Sequence, residues 1–154
     1  MDPAERKALE DIERFGCHVI HVLPAGDVAG FSYSIGVQKS VGAPEVIVLG
    51  LNRDIAHFVV NEYNRRVHGG ERFAAGRFHA GFLDGFEVTF ERVDRRHYRD
   101  HFGWARWLYD GDAFEAVQLV YPSTSGIWPW DTGGPDVFGR DQPLLTASGA
   151  REAG

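Results

Sequence analysis

A chain of 154 residues that is 44% hydrophobic and 25% charged has the composition of one globular domain with a substantial core. Its net charge of −6 argues against a non-specific nucleic-acid binder, because such a protein needs a basic face. No apolar run approaches the ~18 residues of a membrane span, and the single cysteine, Cys17, allows no internal disulfide. We therefore expect a cytoplasmic protein with no membrane contact. A nucleic-acid partner is disfavoured, although the run Arg92–Arg99 is a local basic patch.

The first third of the chain predicts one helix and three strands. Asp2 and Pro3 are typical of a helix N-terminus, and Gly16 ends the helical spacing of apolar residues that follows them. The strands are expected from apolar and β-branched runs at Cys17–Leu23, Phe31–Val37 and Val46–Leu51. The loop between the last two runs is too short for a crossover helix, so we expect those two strands to pair antiparallel.

The middle of the chain predicts an amphipathic helix that begins after Asn52, a good N-cap residue, and ends at Gly69 and Gly70. Its apolar residues recur at three- and four-residue intervals, and they are Ile55, Phe58, Val59, Tyr63 and Val67. The following segment, 73–82, is consistent with a bent strand or with a loop that holds a short strand.

The last third predicts two strands and one helix. Phe86–Val93 alternates apolar and polar residues, which is typical of a strand with one core face and one solvent face. His97–Tyr109 predicts a third helix, and Ala116–Tyr121 predicts a strand that Pro122 ends. The fold class we expect is α+β, with a curved, mostly antiparallel sheet or partial barrel of five to six strands and two or three packed helices. Residues 1–154 would form one domain, with an N-terminal helix over 1–15 and an extended tail over 133–154.

Four segments carry a family resemblance: FGCHVIHV, FSYSIGV, APEVIVLGL and VQLVYPSTSGIWPWD. They resemble a bacterial family of domains of unknown function, the one numbered 4262. The matching positions cover most of the chain and are Phe31, Tyr33, Gly36, Pro44, Glu45, Gln118, Pro122, Gly126, Pro129 and Trp130. The resemblance implies a fold and the location of a site, but it implies no activity.

The chain departs from this family pattern at four positions. Three changes are mild: Ser34 stands for Thr, Val37 for Leu and Tyr121 for Trp. The fourth is Ser123, which stands where the family usually has Asp. If that Asp were a catalytic acid or a metal ligand, this chain would lack it.

Polar residues in the Phe31–Val37 strand indicate one wall of a pocket. Tyr33 and Ser34, with Gly36, are candidate ligand-binding residues, although a core Tyr with a satisfied hydroxyl is the alternative interpretation. Glu45 precedes a buried apolar run, where desolvation would raise the pKa of its carboxyl and suit it to acid/base catalysis. The alternative role for Glu45 is a strand-entry residue that accepts backbone N–H groups.

An aromatic, turn-rich segment indicates the second wall. Trp128 and Trp130 flank a proline in a loop, and Asp131 or Gln118 would supply the polar group of a pocket. The alternative is that this loop caps an open end of the sheet. The two interpretations are compatible.

Other chemistry-bearing residues favour structural roles. His97 and His101 share a helix face, but the neighbouring arginines and the missing third ligand disfavour a metal site. Cys17 is expected to be a buried structural thiol. The chain has no phosphate-binding loop, no nucleophile elbow and no flavin signature, so no cofactor and no metal are expected.

The leading hypothesis is a domain with a single cleft that binds a small polar ligand, a nucleotide fragment or a short peptide. If the cleft is catalytic, Glu45 and Asp131 would be the acid/base groups, and the ligand-binding residues would be Tyr33, Ser34, Gly36, Gln118, Trp128 and Trp130. The alternative is a protein-interaction module, of an immunity or regulatory type, that has no catalytic activity. The sequence leaves open which of the two holds.

Overall fold

The computed structural model describes residues 1–131 and 142–152, which contain six strands and five α-helices. In chain order the elements are α1 (Pro3–Phe15), β1 (His18–Val22), β2 (Phe31–Ile35), α2 (Val37–Val41), β3 (Glu45–Leu49), α3 (Arg53–His68), β4 (Phe78–Leu83), β5 (Phe86–Arg92), α4 (Tyr98–His101), α5 (Gly103–Tyr109) and β6 (Ala116–Val120). A 3₁₀ turn at Arg95–His97 precedes α4. No helix among these residues is long and apolar enough to cross a membrane.

The six strands form one open sheet in the order β1-β2-β3-β6-β5-β4. The expected antiparallel pairing of β2 with β3 is confirmed, with Phe31 opposite Leu49. The α+β class is also confirmed, but the expectation of a mostly antiparallel sheet or partial barrel is wrong. The sheet is mixed, because β6 inserts between β3 and β5 and runs parallel to β3, with Glu45 beside Ala116. It does not close, since β1 and β4 are its two edges.

Each face of the sheet has its own hydrophobic core. On one face, α3 packs through Val59, Val60 and Tyr63 against side chains such as Val46 and Phe90. On the other face, buried residues of α1, α4 and α5 pack against alternate residues of β2 and β3. The residues of this second core that carry the packing are Ala8, Ile12, Tyr33, Ile47, Tyr98, Phe102 and Ala105. Burial of apolar surface on both faces explains why β2, β3 and β6 are buried along their whole length.

Several predicted elements differ in detail from the structure. The polar connection after β2 contains the short helix α2, which begins after Gly36, a residue with φ of 100°. The predicted helix over His97–Tyr109 is broken at Phe102, where φ is −115° and ψ is 42°. The structure also has five α-helices, where two or three were expected.

The solvent face predicted for β5 is wrong at two of its three residues. Glu87 is exposed, but Thr89 and Glu91 are each only 1% exposed. The Thr89 hydroxyl donates to the Arg77 carbonyl at 2.7 Å. The backbone N–H of Glu152 donates to the Glu91 carboxylate at 3.2 Å. The part of the predicted tail that falls on residues 132–141 and 153–154 lies outside the described residues.

Candidate functional site

A chain of three polar side chains joins the first two strands to α3. Ser32 Oγ lies 2.7 Å from His21 Nδ1, and His21 Nε2 lies 3.1 Å from His57 Nδ1. The strand register places His21 directly opposite Ser32. His57 lies in the first turns of α3, the helix that covers this face of the sheet. The two imidazole rings also stack, with centroids 5.3 Å apart.

The environment of His21 favours the neutral imidazole. Burial lowers the pKa of His21 below its ordinary value, and the positive charge of Arg53 and the neighbouring His57 and His18 lower it further. A neutral His21 has one donor and one acceptor nitrogen. In one tautomer His21 accepts from the Ser32 hydroxyl and donates to His57. In the other tautomer it donates to Ser32 and accepts from His57.

This chain of side chains opens into a cleft of about 890 Å³. The cleft lies beside the edge strand β1, and the N-terminal end of α3 and Trp104 of α5 also line it. Its polar and charged lining residues are His18, His21, Ser32, Asn52 and Arg53, and none of its lining residues is acidic. In a chain of net charge −6, the lining of this cleft has one exposed guanidinium, that of Arg53, and no carboxylate. One carboxylate does contact the lining, since Asp11 Oδ2 lies 2.7 Å from His18 Nδ1.

The arrangement has defined chemical capabilities. A hydroxyl beside a neutral imidazole can donate a hydrogen bond to a ligand and can exchange a proton with that imidazole. Arg53 offers planar donors that match a carboxylate or a phosphate. The first turn of α3 adds partial positive charge on the same side of the cleft.

Glu45, the first predicted acid/base residue, is fully buried at the start of β3. Its carboxylate accepts from the backbone N–H groups of Gly36, Val37 and Gln38 at 3.1, 3.2 and 3.1 Å, which are the first donors of α2. The Ser34 hydroxyl also donates to it, at 2.7 Å.

A further donor reaches Glu45 from the other side of this network, the Tyr109 hydroxyl of α5. Burial raises the pKa of Glu45, while these hydrogen bonds, that of Tyr109 first, act in the opposite direction. Because all of its neighbours donate, the carboxylate holds α2, β3 and α5 together. A general base must reach its substrate, so this geometry favours a structural role, and the acid/base role stays a prediction.

Tyr33 and Gly36 also lie in packed surroundings. The Tyr33 hydroxyl accepts from the backbone N–H of Trp104 at 3.0 Å, and burial raises the pKa of Tyr33 to about 12. Gly36 has a positive φ, and a Cβ atom there would lie 2.6 Å from a side-chain carbon of Ile12. Glycine is therefore required by the turn and by the close approach of α1.

Gln118 connects β6 to the C-terminal segment. Its amide nitrogen donates to the Pro143 carbonyl at 2.9 Å, and its amide oxygen accepts from the Leu145 N–H at 2.8 Å. Gln118 is fully buried. Its role as a ligand-binding residue stays a prediction.

The aromatic loop after β6 packs at the opposite edge of the sheet from β1. Trp128 and Trp130 stack with centroids 5.0 Å apart, and Trp128 also contacts Phe78 of β4. The guanidinium of Arg151 lies over the Trp130 ring. The Asp131 carboxylate accepts from the Trp128 N–H at 2.8 Å and so closes the turn.

The two predicted walls lie at different ends of the sheet. Glu45 pairs with the first residue of β6, Ala116, whereas Trp128 and Asp131 follow the last residue of β6. A five-residue strand, about 13 Å long, separates these ends. The structure therefore brings Ser34, Gly36 and Glu45 together, but it does not bring them to the Trp128–Asp131 loop.

Ser123, which stands where the related family usually has Asp, has a turn-forming role. Its hydroxyl accepts from the N–H groups of Ile127 and Ser125 at 3.1 and 3.3 Å. An Asp carboxylate can accept the same two bonds, since Asp and Ser form equivalent side-chain turns. The local geometry thus accounts for either residue at this position.

The remaining candidates have ordinary surroundings. Cys17 is buried, and burial raises the pKa of its thiol to about 12. His101 Nδ1 lies 3.1 Å from the His97 carbonyl oxygen, and its ring contacts Phe31. Within residues 1–131 and 142–152, no group of three or more His, Cys, Asp or Glu residues could hold a metal ion.

Ser32, His21, His57 and Arg53 were not predicted from the sequence as a group. His18 and His21 are three residues apart in a strand, so their side chains point to opposite faces of the sheet and their spacing in the sequence does not indicate a shared site. Cross-strand register is the signal that joins His21 to Ser32, and it depends on the length of the 23–30 loop.

The comparison with protein families agrees with the resemblance seen in the sequence. A family model described as Domain of unknown function (DUF4262) matches residues 11–135, from the last turns of α1 to just beyond the aromatic loop. No curated protein and no solved structure matches the chain. The chain therefore belongs to the DUF4262 family, a family of domains of unknown function.

Proposed function

We propose that this domain binds a small anionic molecule, one that carries a phosphate or a carboxylate, in the cleft beside β1. The observation that carries the proposal is the hydrogen-bonded chain of Ser32, His21 and His57, which reaches an open cleft that contains Arg53 and no carboxylate. Ser32 is only 4% exposed, so its hydroxyl is a fixed donor or acceptor rather than a freely rotating surface group.

The charge distribution supports an anionic ligand. Arg53 is exposed and has no ion pair among the described residues, so its guanidinium is available to a ligand. His21 can gain a proton when an anion approaches. The N-terminal end of α3 contributes in the same direction, because its partial positive charge favours anions.

The size and lining of the cleft support a ligand no larger than a nucleotide. Pockets for small molecules commonly have volumes of about 300–1,000 Å³, and this cleft of about 890 Å³ lies within that range. Trp104 offers an aromatic surface on which a planar group can pack. A nucleoside phosphate combines these requirements and is the first probe to use.

A thermal-shift experiment with three probes, inorganic sulfate, inorganic phosphate and adenosine 5′-monophosphate, tests the proposal. At a concentration about 100 times its Kd, a bound probe should raise the Tm by roughly 5 °C or more. Ser32→Ala and Arg53→Gln should reduce the shift. The matched control is Arg6→Gln, because Arg6 is exposed on α1 and does not line the cleft.

Two outcomes contradict the proposal. One is the absence of a shift with every probe for a folded wild-type protein. The other is an equal loss of the shift in Arg53→Gln and Arg6→Gln, which would assign the effect to overall charge instead of the cleft.

A further inference from the structure

A second groove lies on the other side of the N-terminal end of α3. It is formed by Asp54, Ile55 and Phe58 of α3 and by the β4–β5 hairpin, residues 80–87. We call it the hairpin groove, and its volume is about 680 Å³. It shares no lining residue with the cleft that holds His21 and Ser32.

The floor of the hairpin groove is apolar and unusually exposed. Ile55 and Phe58 belong to the apolar stripe of α3, yet they are 40% and 56% exposed. The later members of the same stripe, such as Val59 and Tyr63, are buried against the sheet. The apolar stripe of α3 therefore extends beyond the core, and a large aromatic side chain projects beside the hairpin.

The rim of the hairpin groove is acidic. Asp54, Asp84 and Glu87 are exposed, and none of the three has an ion pair or hydrogen bond among the described residues. Arg66 of α3, whose guanidinium contacts the hairpin, is paired with Glu71 and donates to the Ala80 carbonyl. Among the described residues, no ion pair therefore involves the carboxylates of Asp54, Asp84 or Glu87.

From this apolar floor and acidic rim we infer that the hairpin groove docks a basic, amphipathic segment of a partner protein. The segment would place one or two large apolar side chains on Ile55 and Phe58 and direct Lys or Arg toward Asp54, Asp84 and Glu87. Exposed apolar patches rimmed by polar residues are typical of interaction sites, and complementary charge speeds association and rejects acidic partners. A second copy of this chain, at net charge −6, is a poor match for an acidic rim.

The inference is independent of the ligand cleft, and fluorescence anisotropy with the folded full chain tests it. The probe is a fluorescein-labelled synthetic peptide of about fifteen residues, with Leu at helical spacing on one face and Lys on the other. A second peptide carries Glu in place of every Lys, and a third carries Ser in place of every Leu. Binding of the first peptide alone is the expected result.

Matched variants then locate the binding. Phe58→Ser should weaken binding of the Lys–Leu peptide roughly tenfold or more. Val28→Ser, which removes an exposed apolar side chain elsewhere, should have little effect on that affinity. The double variant Asp84→Asn/Glu87→Gln should also weaken it. The double variant Asp27→Asn/Glu10→Gln removes two exposed negative charges away from the groove and should have little effect.

Three results overturn the inference. The first is that the folded wild type does not bind the Lys–Leu peptide. The second is that groove and control variants lose affinity equally, which would indicate non-specific charge attraction. The third is that the wild type self-associates through Phe58 and that the peptide does not compete with this association. The occupant of the hairpin groove would then be a second copy of the chain.

Discussion

Ser32 Oγ and His21 Nδ1 lie 2.7 Å apart across the β1–β2 pair, one side chain from each strand of the pair. Ser32 lies in a strand that is buried on both faces, whereas His21 lies in the edge strand beside the cleft. The hydrogen bond between them therefore connects the interior of the sheet to a solvent-accessible site. This connection allows a buried hydroxyl to influence the protonation and orientation of an imidazole that a ligand can reach.

Anion binding in the cleft should be tighter at lower pH. In the free protein, burial and the neighbouring Arg53, His57 and His18 lower the pKa of His21, so the imidazole is neutral near pH 7. A bound anion raises that pKa, so binding takes up a proton, and affinity rises as the pH falls through the pKa values of the bound and free states. Each unit by which the anion raises the pKa adds up to about tenfold in affinity.

Calorimetric titration with sulfate between pH 5 and 8 measures this effect, because the charge of sulfate does not change over that range. His21→Gln should remove most of the pH dependence. An unchanged pH dependence in His21→Gln would show that another group takes up the proton.

The Glu45 network should contribute strongly to stability. Glu45→Gln replaces an acceptor of five hydrogen bonds by an amide whose NH₂ group faces donors, and it should lower the free energy of unfolding by about 3 kcal/mol. Tyr109→Phe should lower it by about 1–3 kcal/mol. Because the two side chains contact each other, the double variant should lower the free energy of unfolding by less than the sum of the two single effects. Urea unfolding measures these values, and a change within about 0.5 kcal/mol for Glu45→Gln would disprove the structural role.

The C-terminal segment should be required for full stability. Gln142 is fully buried, accepts from the Tyr121 N–H at 3.0 Å and donates to the Tyr121 carbonyl at 2.8 Å. Gln142→Ala removes both of these buried hydrogen bonds and should lower the free energy of unfolding, measured with urea, by roughly 2–4 kcal/mol. Gln38→Ala is the control, since the Gln38 side chain accepts only an exposed N–H, that of Glu115. Equal effects of the two substitutions would contradict the packing described for residues 142–152.

Ser123→Asp should be tolerated, because an Asp carboxylate can accept the N–H groups of Ile127 and Ser125 that the serine now accepts. The expected change in the free energy of unfolding is within about 1 kcal/mol. Ligand affinity in the β1 cleft should not change, since Ser123 does not line it. A large gain in affinity or the appearance of a metal site in this variant would instead assign Ser123 to the functional centre.

Individual helices and strands could be predicted from the sequence because the residues that begin and end them are neighbours in the chain. Asn52 caps α3 by accepting from the Ile55 N–H, and Gly16 ends α1 in the left-handed conformation, as their positions in the sequence indicate. The parallel pairing of β6 with β3 could not be predicted in this way. Apolar and β-branched content indicates that a run is a strand, but it does not indicate which strand lies beside it or in which direction.

The candidate site depends on features that are distant in the sequence. Glu91 has the alternation of a solvent-facing residue, yet residues 142–152 cover it, and no local pattern encodes that cover. Ser34 and Glu45 were both singled out, but the hydroxyl of Tyr109, 64 positions after Glu45, completes their network. Likewise, the chain from Ser32 to His57 requires both the β1–β2 register and the placement of α3 on the same face.

The most direct test of the account is to follow the His21 imidazole by NMR while adenosine 5′-monophosphate is added. If the nucleotide binds in the β1 cleft, the His21 and His57 ring signals should shift in parallel with ligand saturation, and the pKa of His21 should rise. Arg53→Gln should weaken this response, while Arg6→Gln should not. If the nucleotide leaves both ring signals unchanged, or if binding shifts only residues outside the β1 cleft, the anion-binding assignment is wrong.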